Sequence, residues 1–269
     1  MSRFIQVPNE IITKLTSRGK HKMAYLYVYI RNQINDNRST LEAKEKTKLK
    51  YGEALNLDEK TIYNYIKELY SVDLIGGIGK DWGIDHRYNV YHFPEINGDN
   101  FIVLPFIIED TNLTTEEKGV MLFIKANCYC GTNHFHFKSM AELKAKIGVG
   151  KNNVVIKNLE SKGYVRIIGN AIVITCDAFP LYLNENPENN IYGIIYNYCL
   201  YKDVVPPMKD IDSRCWLYLK AKYIDGSTGL KEDLISKCKN LPSDVSLNYF
   251  CKALLNKIPE KPIKYEFTM

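Results

Sequence analysis

Apolar side chains return at helical spacing early in the chain. Met23, Leu26, Tyr27, Ile30 and Ile34 fall at i, i+3, i+4, i+7 and i+11, which predicts an amphipathic helix. The polar stretch Asn35 to Thr40 reads as a loop, and a short helix is expected over about Lys48–Leu55. Asp58 is placed to open the next helix, because its carboxylate can accept the unpaired backbone N–H groups of a first helical turn. That helix, Glu59–Tyr70, carries Ile62, Tyr65, Ile66 and Leu69 on one face. Gly76, Gly77 and Gly79 then break the helical pattern, and strand-like runs at about 74–79 and 87–93 flank a polar tip from Lys80 to His86.

The pattern recurs at an offset of about 90–97 residues, which is the scale of a duplicated domain and too long for a solenoid repeat. Phe4-Ile5-x-Val7-Pro8-x-x-Ile11 returns as Phe101-Ile102-x-Leu104-Pro105-x-x-Ile108. The apolar helix starting at Lys22 returns at Lys118, and Leu69-x5-Ile75-x3-Gly79 returns as Leu159-x5-Val165-x3-Gly169. In the second copy Thr114 or Thr115 can cap a helix running to about Asn127. A strand follows at His134–Phe137, then Ser139 caps a short helix, Met140–Ile147. A further helix ends at Leu159. Runs Tyr164–Ile168 and Ala171–Thr175 form a hairpin turning at Gly169-Asn170, a strong two-residue turn signal.

Three helices, the last two joined by a tight turn, followed by a β-hairpin, describe a winged helix-turn-helix. The expected fold class is therefore α+β. Two tandem winged helix-turn-helix domains occupy 1–96 and 97–180, a linker 181–190, and a mainly helical C-terminal section 191–269. In that section we read a segment at Ile191–Tyr201, an interruption at Pro206-Pro207, and helices over Asp212 to about Ile224, Lys231–Lys239 and Ser243–Lys257. A strand near Ile263–Phe267 ends it. It is either a degenerate third winged helix or a dimerisation or partner-docking bundle. Because both hairpins fall before it, residues 1–177 are expected to fold without it.

Several motifs carry a family resemblance: Leu113-Thr-x-Glu-Glu-Lys118, Glu142-Leu143-x-x-Lys146-Ile147-Gly148-Val149 and Leu159-x-x-Lys162-Gly163-Tyr164-Val165, with Leu57-Asp-x-Lys-Thr-Ile62 in the first copy. Over about residues 1–177 the chain resembles winged-helix modules of Gram-positive phage and plasmid proteins, notably replication initiators and replisome organisers. The resemblance implies DNA binding by a mobile-element protein. From Val149 to Leu159 the second copy is two residues shorter than the first from Leu57 to Leu69, which shortens its recognition helix.

Charge sharpens this only locally. Residues 1–95 hold 15 Lys and Arg against 12 Asp and Glu, residues 96–177 hold 9 against 8, and the rest 12 against 11, so no domain is a basic polyelectrolyte. Clusters are more telling: five basic residues and no acid lie between Lys14 and Arg31, and Lys44 to Lys50 adds a net three positive charges. Seven cysteines scattered from Cys128 to Cys251 do not form a disulfide framework. The N-terminus has no apolar signal core and no run is long enough to span a bilayer, so a cytoplasmic protein with no membrane partner is expected.

On the first recognition helix Lys60, Tyr63, Asn64 and Lys67 lie at i, i+3, i+4 and i+7, opposite the apolar face, with Thr61 beside them. Lys can donate to guanine, Asn can pair with adenine, and Thr can touch a thymine methyl. Glu59 and Glu68 leave this helix neutral. His86 and Arg87 are the expected contacts of the hairpin wing, while Trp82 is expected to pack. In the second copy Lys151, Asn152, Asn153 and Lys157 form the corresponding set, with Lys144 and Lys146 on the preceding helix.

The competing chemistry is His134-Phe135-His136, two histidines on one face of a strand near Cys128 and Cys130, a pattern that resembles the metal motif of rolling-circle nicking enzymes. The surrounding elements do not supply the rest of such a site, and we find no phosphate-binding glycine loop, nucleophile elbow or His-Glu-x-x-His. The expected function is therefore non-enzymatic, with no cofactor or metal. The protein would bind specific double-stranded DNA, initiating replication or regulating its own genes, with replication proteins and a second copy of itself as further partners. The rival readings are a winged-helix module that docks a helicase loader or polymerase subunit, and a metal-dependent nicking enzyme.

Overall fold

The computed structural model describes residues 6–32, 40–43, 47–71, 89–92, 101–103, 110–129, 132–179, 191–208, 214–223 and 228–256. The fold mixes helices with short strands, and the chain divides into two compact units. The first comprises Met1–Asn127, Phe137–Val165 and Ile174–Phe179, and the second Cys128–His136, Arg166–Val173 and Pro180–Met269.

The first unit begins with strand β1 (Gln6–Pro8) and helix α1 (Asn9–Thr16), which buries Ile11, Ile12 and Leu15. Helix α2 (His21–Asn32) was expected to be amphipathic. Instead Met23, Ala24, Tyr25, Leu26, Tyr27, Val28 and Ile30 are all buried, and Lys22 alone among its residues is exposed, so most of its circumference is covered. The cause is a partner about ninety residues away: helix α5 (Thr115–Asn127) packs along it. The approach is close enough that a methyl group at Gly119 would overlap the His21 carbonyl oxygen. Ile34 lies outside the described residues.

The two copies of the Phe-Ile-x-hydrophobe-Pro motif pair with each other. Strand β4 (Phe101–Val103) runs antiparallel to β1, with Pro8 opposite Phe101, Val7 opposite Ile102 and Gln6 opposite Val103. Gln6 and Val103 hold the same place in the two copies. An antiparallel pair in which counterpart residues face each other is what a local two-fold axis produces, and the packing of α2 on its counterpart α5 agrees with it.

Within copy one, strand β2 (Thr40–Ala43), helix α3 (Thr47–Leu55), helix α4 (Glu59–Ser71) and strand β3 (Asn89–His92) follow α2. β2 begins where only a loop was expected, and it pairs antiparallel with β3, Thr40 opposite His92. The expected strand at 74–79 lies outside the described residues. Asn56, with φ of 51°, takes the left-handed conformation that ends α3. Gly52 leaves room for the returning chain, since a methyl there would lie 2.6 Å from the Leu57 carbonyl oxygen. Ile62, Ile66 and Leu69 of α4 are buried as expected, whereas Tyr65 is only half-buried.

In copy two, helices α6 (Met140–Ile147) and α7 (Val155–Ser161) lie in the first unit with α5. Thr114, the first of the two candidates, caps α5 reciprocally: its hydroxyl accepts from the Glu117 N–H at 3.2 Å, and Glu117 accepts from the Thr114 N–H at 2.8 Å. Ser139 caps α6 as expected, and Gly148, at φ 76°, ends it.

The second unit is built on a three-stranded sheet of β5 (His134–His136), β6 (Val165–Ile168) and β7 (Ala171–Ile174), in the order β5-β7-β6. Gly169 supplies the positive φ of 54° that the hairpin turn requires. Helices α8 (Ile191–Tyr201), α9 (Arg214–Lys222), α10 (Leu230–Lys237) and α11 (Leu247–Leu255) share one hydrophobic core with this sheet. Ile168, Ala171 and Val173 share one core with Ile195, Cys199, Trp216, Leu219, Leu234 and Phe250. The C-terminal helices thus close over the hairpin, and the division into units cuts across the expected boundary at 180. The linker at 181–190 and the strand near Ile263–Phe267 lie outside the described residues.

Candidate nucleic-acid interface

Helix α4 is opened by Asp58, whose carboxylate accepts the Thr61 backbone N–H at 2.8 Å and the Thr61 hydroxyl as well. Those two bonds from Thr61 hold the Asp58 carboxyl below its usual range. Thr61 is therefore committed to the cap, and only its methyl group remains to offer outward. Lys60, Asn64 and Lys67 are exposed and Tyr63 is half-buried, so the row expected at i, i+3, i+4 and i+7 does lie along the outer side of the helix.

The charge of this helix is not the neutral balance its composition suggests. Glu68 is turned to Lys20, whose Nζ lies 3.3 Å from the Glu68 carboxylate and reaches it from the turn between α1 and α2. One carboxylate is thereby paired within the fold, leaving Lys60 and Lys67 against Glu59 on the outer row. His86, Arg87 and Trp82 lie outside the described residues.

The corresponding set in copy two is arranged differently. Lys151 and Asn152 precede α7 in the turn, and with Lys157 they are exposed. Asn153 is half-buried and its side-chain oxygen accepts the Val155 N–H at 2.7 Å. Lys144 donates to the Lys151 carbonyl at 2.6 Å and the Asn153 carbonyl at 2.9 Å, and Lys146 pairs with Glu142 at 3.0 Å. Helix α7 has 7 residues against 13 in α4; the spacing accounts for two of the six, and the rest comes from the later start of α7, six residues past Val149 where α4 starts two past Leu57.

A polar network that local patterning did not reveal anchors α7. Lys162, just past its end, meets both Glu117 carboxylate oxygens at 2.8 Å. Burial opposes ionisation of Glu117, but hydrogen bonds from Lys162 and Thr114 together hold its carboxyl below the usual value.

His134 is fully buried, with Tyr129 and Tyr196 ring centroids 5.4 and 5.8 Å from its own, and His136 is half-buried. Burial first, and the neighbouring His136 second, push the His134 imidazole down to about 4, so it is neutral near pH 7. Among the described residues no group of three or more His, Cys, Asp or Glu side chains is arranged to hold a metal ion. Nor is any helix among them long and apolar enough to cross a membrane.

No protein family, curated protein or solved structure matches this chain.

Proposed function

We propose that this chain is a sequence-specific double-stranded-DNA-binding protein, and that its two copies are winged helix-turn-helix domains. The observation that carries the reading is the outer row of α4: Lys60, Asn64 and Lys67 exposed on a capped helix that follows a tight turn, with Glu68 drawn away to Lys20. A helix so presented, supported by α3, suits insertion into a major groove, where Lys donates to guanine and Asn pairs with adenine.

Two further features support the fold reading. In each copy the strand that follows the first long helix pairs antiparallel with the strand that closes the copy: β2 with β3, and β5 with β7. In each copy the helix before the last one, α3 or α6, ends on a left-handed residue, Asn56 or Gly148. The motif resemblance to phage and plasmid initiators supports a place in replication initiation, or in control of the protein's own genes.

Lys60→Ala and Asn64→Ala are expected each to cost about 1–3 kcal/mol in affinity for the cognate site while leaving the fold intact. Gel shifts on DNA from the protein's own locus, with circular dichroism as the folding control, test this. Wild-type affinity in both variants would overturn the reading.

A further inference from the structure

The C-terminal end of α8 presents a cluster that duplex reading by α4 does not use. Tyr201, the last residue of the helix, is 80% exposed. Its ring centroid lies 6.5 Å from that of Tyr198, with the planes tilted by 35°. Tyr198 is half-buried and fixed, because its hydroxyl donates to the Cys238 carbonyl at 3.1 Å. The Lys202 ammonium lies 5.7 Å from both ring centroids. From strand β6, Arg166 donates to the Leu200 carbonyl at 3.1 Å and stands 3.7 Å from the Asp203 carboxylate. The result is an open aromatic pair flanked by two cations and one carboxylate, all within the second unit.

We propose that this patch is a stacking platform for single-stranded DNA, with unpaired bases laid on Tyr201 and Tyr198 and the backbone met by Lys202 and Arg166. Bases inside a duplex stack on one another and offer no face to a side chain, whereas an opened strand does. Aromatic rings accept any base in this way, and adjacent cations track the phosphates. A protein-docking tyrosine would instead sit at the centre of a packed apolar patch. Tyr201 stands open beside charged groups. The platform goes beyond duplex recognition and does not depend on it.

The test uses the full-length protein and a fluorescein-labelled oligothymidylate, with affinity read by anisotropy across a salt series. Wild type should bind with a salt-dependent affinity. Tyr201→Ala should weaken binding about tenfold or more, and Tyr201→Phe, which keeps the stacking face, should restore it. Lys202→Gln should weaken it less and flatten the salt dependence. Duplex binding on the protein's own locus should be unchanged by Tyr201→Ala. No measurable binding by wild type, or wild-type affinity in Tyr201→Ala, would overturn the platform. So would an equal loss on duplex, or tighter binding of oligouridylate RNA. Loss of a co-purifying protein in Tyr201→Ala, with oligothymidylate binding untouched, would reassign the patch to protein docking.

Discussion

The two copies share a backbone plan and spend their polar side chains in opposite ways. In copy one, Lys60, Asn64 and Lys67 stand outward on a helix of 13 residues, and one of its two acids, Glu68, is turned to Lys20. In copy two, Lys144 and Asn153 are bound into the turn before a helix of only 7 residues, and Lys162 is committed to Glu117. Matching elements along the chain therefore do not present matching side chains. Copy one leaves its polar row outward, whereas copy two commits Asn153 and Lys144 to its own turn and leaves Lys151, Asn152 and Lys157 exposed.

The copies differ as well in where their sheets belong. Strands β2 and β3 stay in the first unit, whereas residues 166–173 of the second hairpin share their core with α8 to α11. Ending the chain after Asp177 would uncover Ile168, Ala171 and Val173, which are now 5%, 0% and 0% exposed. Burial of such side chains stabilises by about 1.5–3 kcal/mol each for the larger ones, and every C-terminal contact is lost at once. The 1–177 fragment is therefore expected to lose the order of its second sheet, bind a hydrophobic dye and associate by light scattering, while the full chain does neither. A monomeric fragment that unfolds as cooperatively as the full chain would restore the boundary at 180.

Much of this plan is legible locally. Asp58, Thr114 and Ser139 mark three helix starts because a cap depends on residues three apart, and Gly169-Asn170 marks a hairpin because its turn needs one positive φ. What could not be read is what distant chain decides. Thr40–Ala43 is a strand through its pairing with Asn89–His92, and Ala24, Tyr25 and Val28 of α2, which spacing did not assign to the core, are buried in a unit where α5 packs on this helix. The same limit hid the Lys20–Glu68 pair, which joins residues 48 apart and changes the charge that α4 presents.

Titration separates the copies next. Copy one buries His21 on α2 and copy two buries His134 on β5, and burial lowers both below the ordinary value. A base whose folded-state value is lowered favours the fold fully above its unfolded value, and that contribution is lost as pH falls toward the folded one. For His134 the window runs from about 6.5 down to about 4, and it amounts to about 3 kcal/mol of stability. Denaturant unfolding across this range should show the loss in wild type. His134→Gln should be flatter, keeping only the share due to His21 and to groups shared by both proteins. Parallel curves for the two proteins would show that His134 is not a source of the pH dependence.

The smallest expected effect is the sharpest test of the comparison. If copy two's turn is structural, the side chains of Lys151 and Asn152 are exposed and free to be cut back, because the bonds that hold the turn use the Lys151 carbonyl, the Asn153 carbonyl and the Asn153 side chain. Alanine at 151 keeps the carbonyl that Lys144 needs, and alanine at 152 touches none of these bonds. The double variant Lys151→Ala, Asn152→Ala should therefore hold its stability within about 0.5 kcal/mol, as ordinary surface changes do. Its affinity for the cognate duplex should shift by no more than one phosphate contact's share, with the salt slope falling by about one at most. Gel shifts at two salt concentrations measure both quantities beside Lys60→Ala and Asn64→Ala. A loss in the double variant matching theirs would make copy two a full reader and place two grooves under one chain.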